Sequence, residues 1–200
     1  MKFEIPDKND YIRLYLEESV SVISATRNHD RLVQRLGDAA TACILALKSG
    51  GKILLAGNGG SAADAQHISG ELLSRFRLER RGLRAIALTT DTSALTAIGN
   101  DYGYENLFAR QIQAYGDPGD VLIAITTSGR SPNIVEAIRV GRKMGLCCVG
   151  LTGNSGGQIR DMCDFIIEVP SVDTQRIQEV HGILGHILCG LIEHAMCFGQ

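Results

Sequence analysis

Two segments of this chain set glycines beside hydroxyls in a way that suits an oxyanion. Gly57-Asn58-Gly59-Gly60-Ser61 runs straight into a helical pattern. Glycines let the backbone come close to a ligand, Ser61 is placed to cap the helix, and the free N–H groups of a helix start attract negative charge. Thr126-Thr127-Ser128-Gly129-Arg130-Ser131-Pro132 offers four hydroxyls before a second helix start. Either loop alone is an ordinary turn between strand and helix. Together, each after a strand of what reads as one sheet, they point to a phosphate. The first lacks the G-x-G-x-x-G spacing of a dinucleotide site and neither is a Walker A loop, which disfavours a nucleotide enzyme.

Acid–base or metal-ligating groups are the second kind of chemistry on offer. His67 and Glu71, four residues apart on the helix after the first loop, share one face of it. In isolation such a pair is as readily a solvated surface contact. The last helix carries an apolar stripe of Ile177, Val180, Leu184, Ile187 and Leu191, with Gln178, Gly182, Gly185, His186 and Cys189 opposite. Small residues with Gln and His, where Lys and Glu would mark a solvated face, predict close packing against a helix of another subunit and place His186 at or near a subunit interface. His181 lies about 140° from His186 around the axis and reads as a packed structural histidine. His29 and His194 read as surface or interface residues.

The elements that position these groups follow from hydrophobic patterning. Residues 10–48 read as two helices broken near Asn28-His29-Asp30 and stopped by Ser49-Gly50-Gly51. Short apolar strands then alternate with helices: strands at 52–56, 84–88, 120–125, 146–151 and 165–169, and helices at 61–75, from about Thr92, from Pro132, and at 174–196. Nearly continuous apolar strands separated by helices make a parallel sheet covered on both faces, an α/β fold. Ligands in such sheets bind at the carboxyl ends of the strands, where the glycines and hydroxyls stand.

The 200 residues suit one domain, a helical segment over 1–50 and an α/β core over 51–200. With a net charge of −2, the chain has no general attraction for nucleic acid or an acidic membrane, so an anion must be held by local geometry. Neither a bilayer-spanning apolar run nor a signal-peptide plan is apparent, and the expectation is a cytoplasmic protein. None of the six cysteines forms a C-x-x-C pair; they read as reduced, small apolar residues.

Taken together, Gly57-Asn58-Gly59-Gly60-Ser61-Ala62-Ala63-Asp64-Ala65-Gln66-His67, Gly99-Asn100-Asp101, Thr127-Ser128-Gly129-Arg130-Ser131-Pro132-Asn133 and Arg176-Ile177-Gln178-Glu179-Val180-His181 with Gly185-His186 resemble the phosphoheptose isomerases of the sugar-isomerase (SIS) fold, over nearly the whole chain. The resemblance implies a three-layer fold with a five-stranded parallel sheet, a homotetramer, and conversion of sedoheptulose 7-phosphate to D-glycero-D-manno-heptose 7-phosphate. It implies substrate contacts from Asn58, Gly59, Gly60, Ser61, Glu71, Asn100, Asp101, Thr126, Thr127, Ser128, Ser131 and Gln178. It further implies one zinc ion per subunit on His67, Glu71, Gln178 and His186, with Glu71 and His186 as the acid–base pair. Thr126 stands where the family pattern has serine, keeping the hydroxyl and adding a methyl.

Gln178 and His186 are roughly 12 Å apart along a helix axis. They share an ion only if Gln178 sits at an irregular helix start or if the two act from different subunits. The rival readings are a non-catalytic relative that binds the replication initiator DnaA, and a sugar-phosphate sensor. The presence of both Glu71 and His186 favours catalysis.

Overall fold

In a computed structural model, which describes residues 7–198, all five predicted strands are present. They are β1 (Ile53–Gly57), β2 (Ala85–Ala87), β3 (Val121–Ile125), β4 (Cys147–Gly153) and β5 (Phe165–Val169). All pair in parallel, in the order β2-β1-β3-β4-β5. The helices are α1 (Lys8–Arg27), α2 (Asp30–Lys48), α3 (Gly60–Leu73), α4 (Thr92–Tyr102), α5 (Leu107–Tyr115), α6 (Pro132–Lys143) and α7 (Thr174–Phe198). The single helix expected from about Thr92 is thus two, α4 and α5, joined through a 3-10 turn at Tyr104–Asn106.

Alternate residues of each strand feed alternate faces, as the pleat requires. Ile53, Leu55, Ile123 and Leu151 pack with α2, α3 and α7, whereas Leu54, Leu122 and Cys148 pack with α5 and α6. The result is a three-layer α/β sandwich with a core on each side of the sheet. The strand order reverses between β1 and β3, where an open parallel sheet leaves a crevice beyond its carboxyl ends. Gly57 and Ile125 are register partners there, so the two predicted anion loops leave the sheet level with each other.

α7 corrects two expectations. It packs against α1, α2, α3, β4 and β5, so core contacts wrap more than one face. Gly185 and Cys189, assigned to the face opposite the apolar stripe, are buried within the chain, and Ile187 and Leu191 of the stripe are exposed. α7 is also long and apolar enough by composition to cross a membrane, contrary to expectation, but Ile177, Val180, Leu184, Leu188 and Ile192 serve the core here. His181 is fully buried as expected, its Nε2 lying 3.4 Å from the Thr152 carbonyl. Burial pushes its pKa down to about 4, against the pull of that carbonyl. His29 is exposed and caps α2, its Nδ1 accepting the Leu32 N–H, and His194 is exposed.

All six cysteines are free. Burial raises the thiols of Cys43, Cys148 and Cys163 to about 12 and that of Cys147 to about 11, which suppresses thiolate chemistry.

Candidate active site

The helices that start at the two anion loops are left uncapped by side chains. α3 begins after Gly59 and α6 after Ser131, and neither residue makes a side-chain cap bond. Asp7, His29 and Asp91 do cap α1, α2 and α4. Ser61 therefore does not cap α3 as predicted; it is a buried residue inside the first turn. The Ser131 hydroxyl instead meets Thr126 Oγ1 at 3.2 Å. The N–H groups of Ser61, Ala62, Ala63, Ile134 and Val135 already donate to backbone carbonyls and Pro132 has none. Among the described residues, the helix-start N–H groups left for an anion are therefore those of Gly60 and Asn133.

The second loop is also held from the side. Gly129 has φ +64, and a methyl group on it would fall 2.2 Å from the Gly156 carbonyl oxygen. A methyl on Gly157 would fall 2.5 Å from the Ser128 carbonyl oxygen. The Gln158 N–H donates to the Gly129 carbonyl over 2.8 Å, so the β4–β5 connection and the anion loop touch backbone to backbone. Ser128 is exposed and its Oγ accepts the Arg130 N–H at 3.2 Å, while Thr127 is half-buried.

Three of the four predicted metal ligands come together. His67 Nε2 lies 2.9 Å from Glu71 Oε1 and 2.9 Å from His186 Nε2, and His186 Nε2 lies 3.3 Å from Glu71 Oε1. α3 supplies His67 and Glu71 one turn apart. α7 can bring His186 to them because Gly185 rests on Ile68: a methyl there would fall 2.9 Å from Ile68 Cγ1. The Phe76 ring stands 5.8 Å from the His186 ring. Phe76 is itself fixed by the buried Glu193 carboxylate, which accepts the N–H groups of Phe76, Arg77 and Leu78 and pairs with Arg80. Burial works to raise the Glu193 pKa; those three donors and Arg80 outweigh it and hold it below the ordinary value.

Gln178 occupies a different place. Its amide lies over the first loop, where a methyl on Gly60 would come 2.6 Å from Nε2. It sits within the regular helix α7, not at an irregular start, which removes one of the two ways in which it could share an ion with His186. Asn100 and Asp101, exposed at the end of α4, are bonded to each other over 2.7 Å.

Sequence reasoning missed Asp64. It lines a cleft of about 130 Å³ with His67, Ile68, Gly182 and His186, and its buried Oδ2 has no hydrogen-bond partner among the described residues. Burial pushes its carboxyl above the ordinary value, with His67 pulling the other way. Its place one turn before His67 was the available signal. Asn133 and Tyr104, both bonded to Asn58, were missed as well.

The donor set suits a divalent metal. Two imidazole nitrogens and a carboxylate oxygen lie within 4.8 Å of one another, and among the described residues the buried Glu71 Oε2 makes no hydrogen bond of ordinary geometry. Nitrogen and oxygen donors so close together, about 10 Å along α3 from its uncapped start, can move protons on a substrate whose phosphate is held there.

Comparison with known proteins agrees. Residues 14–153 match the SIS domain family. The chain is 58% identical over 190 residues, 95% of its length and 96% of the relative's, to a phosphoheptose isomerase of Burkholderia pseudomallei. A solved phosphoheptose isomerase from Francisella tularensis superposes with a TM-score of 0.91 at 40% identity, over 94% of this chain and 100% of that one. One from Neisseria gonorrhoeae gives 0.86 at 41%, over 92% and 98%. With the fold, the anion loops and the His-Glu-His cluster in place, the chain belongs to the SIS-domain family and groups within it with the phosphoheptose isomerases.

Proposed function

We propose that this chain converts sedoheptulose 7-phosphate to D-glycero-D-manno-heptose 7-phosphate, the first step in making an activated heptose. The observation that carries the reading is the convergence of Glu71 and His186 from two different helices, in a chain so close to named phosphoheptose isomerases. The anion loops hold the phosphate, through N–H groups at the starts of α3 and α6 and the hydroxyls of Thr126, Thr127, Ser128 and Ser131. Asn58, Gly59, Gly60, Ser61, Asn100, Asp101 and Gln178 complete the substrate contacts.

With the ring open, one member of the Glu71–His186 pair takes a proton from C1. The other protonates the C2 oxygen, giving a 1,2-enediol. Return of a proton to C2 and loss of the O1 proton then yield the C1 aldehyde, with no net change in protons. A carboxylate and an imidazole serve both directions near neutral pH. Holding the phosphate fixes the chain of the sugar against the pair and lowers the entropic part of the barrier.

His67, Glu71 and His186 would hold zinc, and the ion, when bound, supplies Lewis-acid polarisation of the carbonyl. Gln178 completes the set either by leaving Gly60 or from the matching position of another copy. A Glu71 drawn to a cation is a weaker base, so its two roles compete.

The same reading gives a cytoplasmic homotetramer. Supporting association, an apolar groove of about 590 Å³ runs between α1, α2 and α7, lined by Ile23, Val33, Ile183 and Ile187 among others. Sedimentation at micromolar concentration is expected to give four chains per particle, and a fully active monomer would count against it.

The deciding experiment is NMR or a coupled assay with sedoheptulose 7-phosphate, before and after chelation and zinc return. Turnover that falls and recovers supports both enzyme and metal. Turnover indifferent to complete metal removal keeps the enzyme and dismisses the ion. None with zinc restored leaves a non-catalytic SIS protein.

A further inference from the structure

The side chains of Asn58 and Asn133 form a closed pair. Asn58 Nδ2 donates to Asn133 Oδ1 over 2.9 Å, and Asn133 Nδ2 donates to Asn58 Oδ1 over 2.8 Å. The same Asn58 Oδ1 accepts the Tyr104 hydroxyl over 3.0 Å. Each residue belongs to a different segment: Asn58 to the loop after β1, Asn133 to the first turn of α6, and Tyr104 to the 3-10 turn that follows α4.

The pair bridges the crevice at the reversal of strand order, where Gly57 and Ile125 stand level. Asn133 is fully buried, and a buried amide is tolerated when its polar atoms are bonded. With Oδ1 accepting twice and Nδ2 donating once, the Asn58 side chain keeps a single N–H for any ligand. That capacity lets Asn58 hold other groups in place while offering the substrate one donor. Tyr104 is 61% exposed, so its ring owes little to the core and its hydroxyl bond is separable from stability.

We propose that Asn133 and Tyr104 are positioning residues for the sugar-phosphate site and act through Asn58. The amide pair sets the spacing between the starts of α3 and α6, and the tyrosine draws the Asn100–Asp101 segment alongside them. A phosphate that accepts N–H bonds from both loops then meets donors already at their working separation. This inference rests on the isomerase reading for its substrate but not for its anion.

The test uses the full zinc-loaded chain and three variants, Tyr104→Phe, Asn58→Ala and the two combined. KM and kcat are measured with sedoheptulose 7-phosphate, Kd with inorganic phosphate by calorimetry, and Tm by melting. Loss of one coupled hydrogen bond in Tyr104→Phe is expected to raise KM and phosphate Kd about tenfold, with kcat within about twofold and Tm unchanged. The same change should add nothing further in the Asn58→Ala background. Unaltered KM and Kd in Tyr104→Phe, or an equal loss with and without Asn58, would overturn the proposal. Asn133→Asp keeps the shape but sets an acceptor against Asn58 Oδ1. It is expected to weaken phosphate at least as much as Tyr104→Phe, and retained affinity would overturn the proposal too. A wild type that binds phosphate but does not turn over the heptulose defeats the isomerase reading alone, and the network is then judged on phosphate Kd.

Discussion

The Nε2 atoms of His67 and His186 stand 2.9 Å apart although 119 residues separate them in sequence. Two imidazole nitrogens this close must share a proton or a cation, and Glu71 Oε1 lies beside both. A cation suits all three at once. The purified chain is therefore expected to carry about one zinc per chain, and His67→Ala close to none, by elemental analysis. Equal zinc in both proteins would refute the assignment.

Glu71→Gln preserves size while removing the carboxylate. Loss of one acid–base partner is expected to lower kcat by about 10²–10⁴. The anion loops do not involve Glu71, so inorganic phosphate should bind the variant as it binds the wild type. Near-normal turnover would show that proton transfer belongs to another group.

Acid stability should fall in two stages. His181 is held neutral with a pKa of about 4 against an ordinary 6.5. The unfolded chain takes up this proton first, so stability is full above about pH 6.5 and declines toward pH 4, by about 3 kcal/mol in all. Glu193 has the carboxylate sign: its folded pKa lies below the ordinary 4.5, so its contribution is present above that value and is lost below it. Urea melts of wild type and His181→Gln across pH 4–7 separate the two, since only the wild type should weaken between 6.5 and 4.5. A parallel decline in both would remove His181 as the cause. Glu193→Ala strips the carboxylate from buried Arg80, leaving it only carbonyl partners, and from the N–H groups of Phe76, Arg77 and Leu78, at a cost of about 3–5 kcal/mol at neutral pH by chemical denaturation.

Gly185→Ala tests how α7 delivers His186. The added methyl meets Ile68 Cγ1 at 2.9 Å and Cδ1 at 3.0 Å, so the Ile68 side chain must shift or α3 and α7 must part. Overpacking of this kind costs about 1–3 kcal/mol, and turnover should fall as His186 moves from His67. Adding Ile68→Ala should restore much of both. If Ile68→Ala makes the loss worse, the close helix contact is not what places the imidazole.

Much of this was legible before any coordinates. Val121–Ile125 is a run of five apolar residues, a strand buried on both faces, and was read as one. His67 and Glu71 are fixed relative to each other by helical spacing alone. The faces of α7 were not legible, because its sequence does not say how many neighbours it has. A helix in contact with α1, α2 and α3 has no single apolar stripe, so Cys189 turned inward and Ile187 outward. The break between α4 and α5 was missed although Gly103, at φ 83, marks it. Asn133 closes one of the motifs that carry the resemblance, but its role was not legible because its partner lies 75 residues away.

The backbone contact of Gly129 with Gly156 and Gly157 has a consequence for anyone varying this protein. The curve of the anion loop is moulded by its neighbour as well as by its own Thr126–Ser131 and Ser128–Arg130 bonds. Varying the half-buried Thr127, whose side chain takes no part in those bonds, therefore samples new ligands on an intact support. A change at Gly156, which carries no chemistry at all, deforms that support. A mutational scan should find its most intolerant positions one loop away from the phosphate.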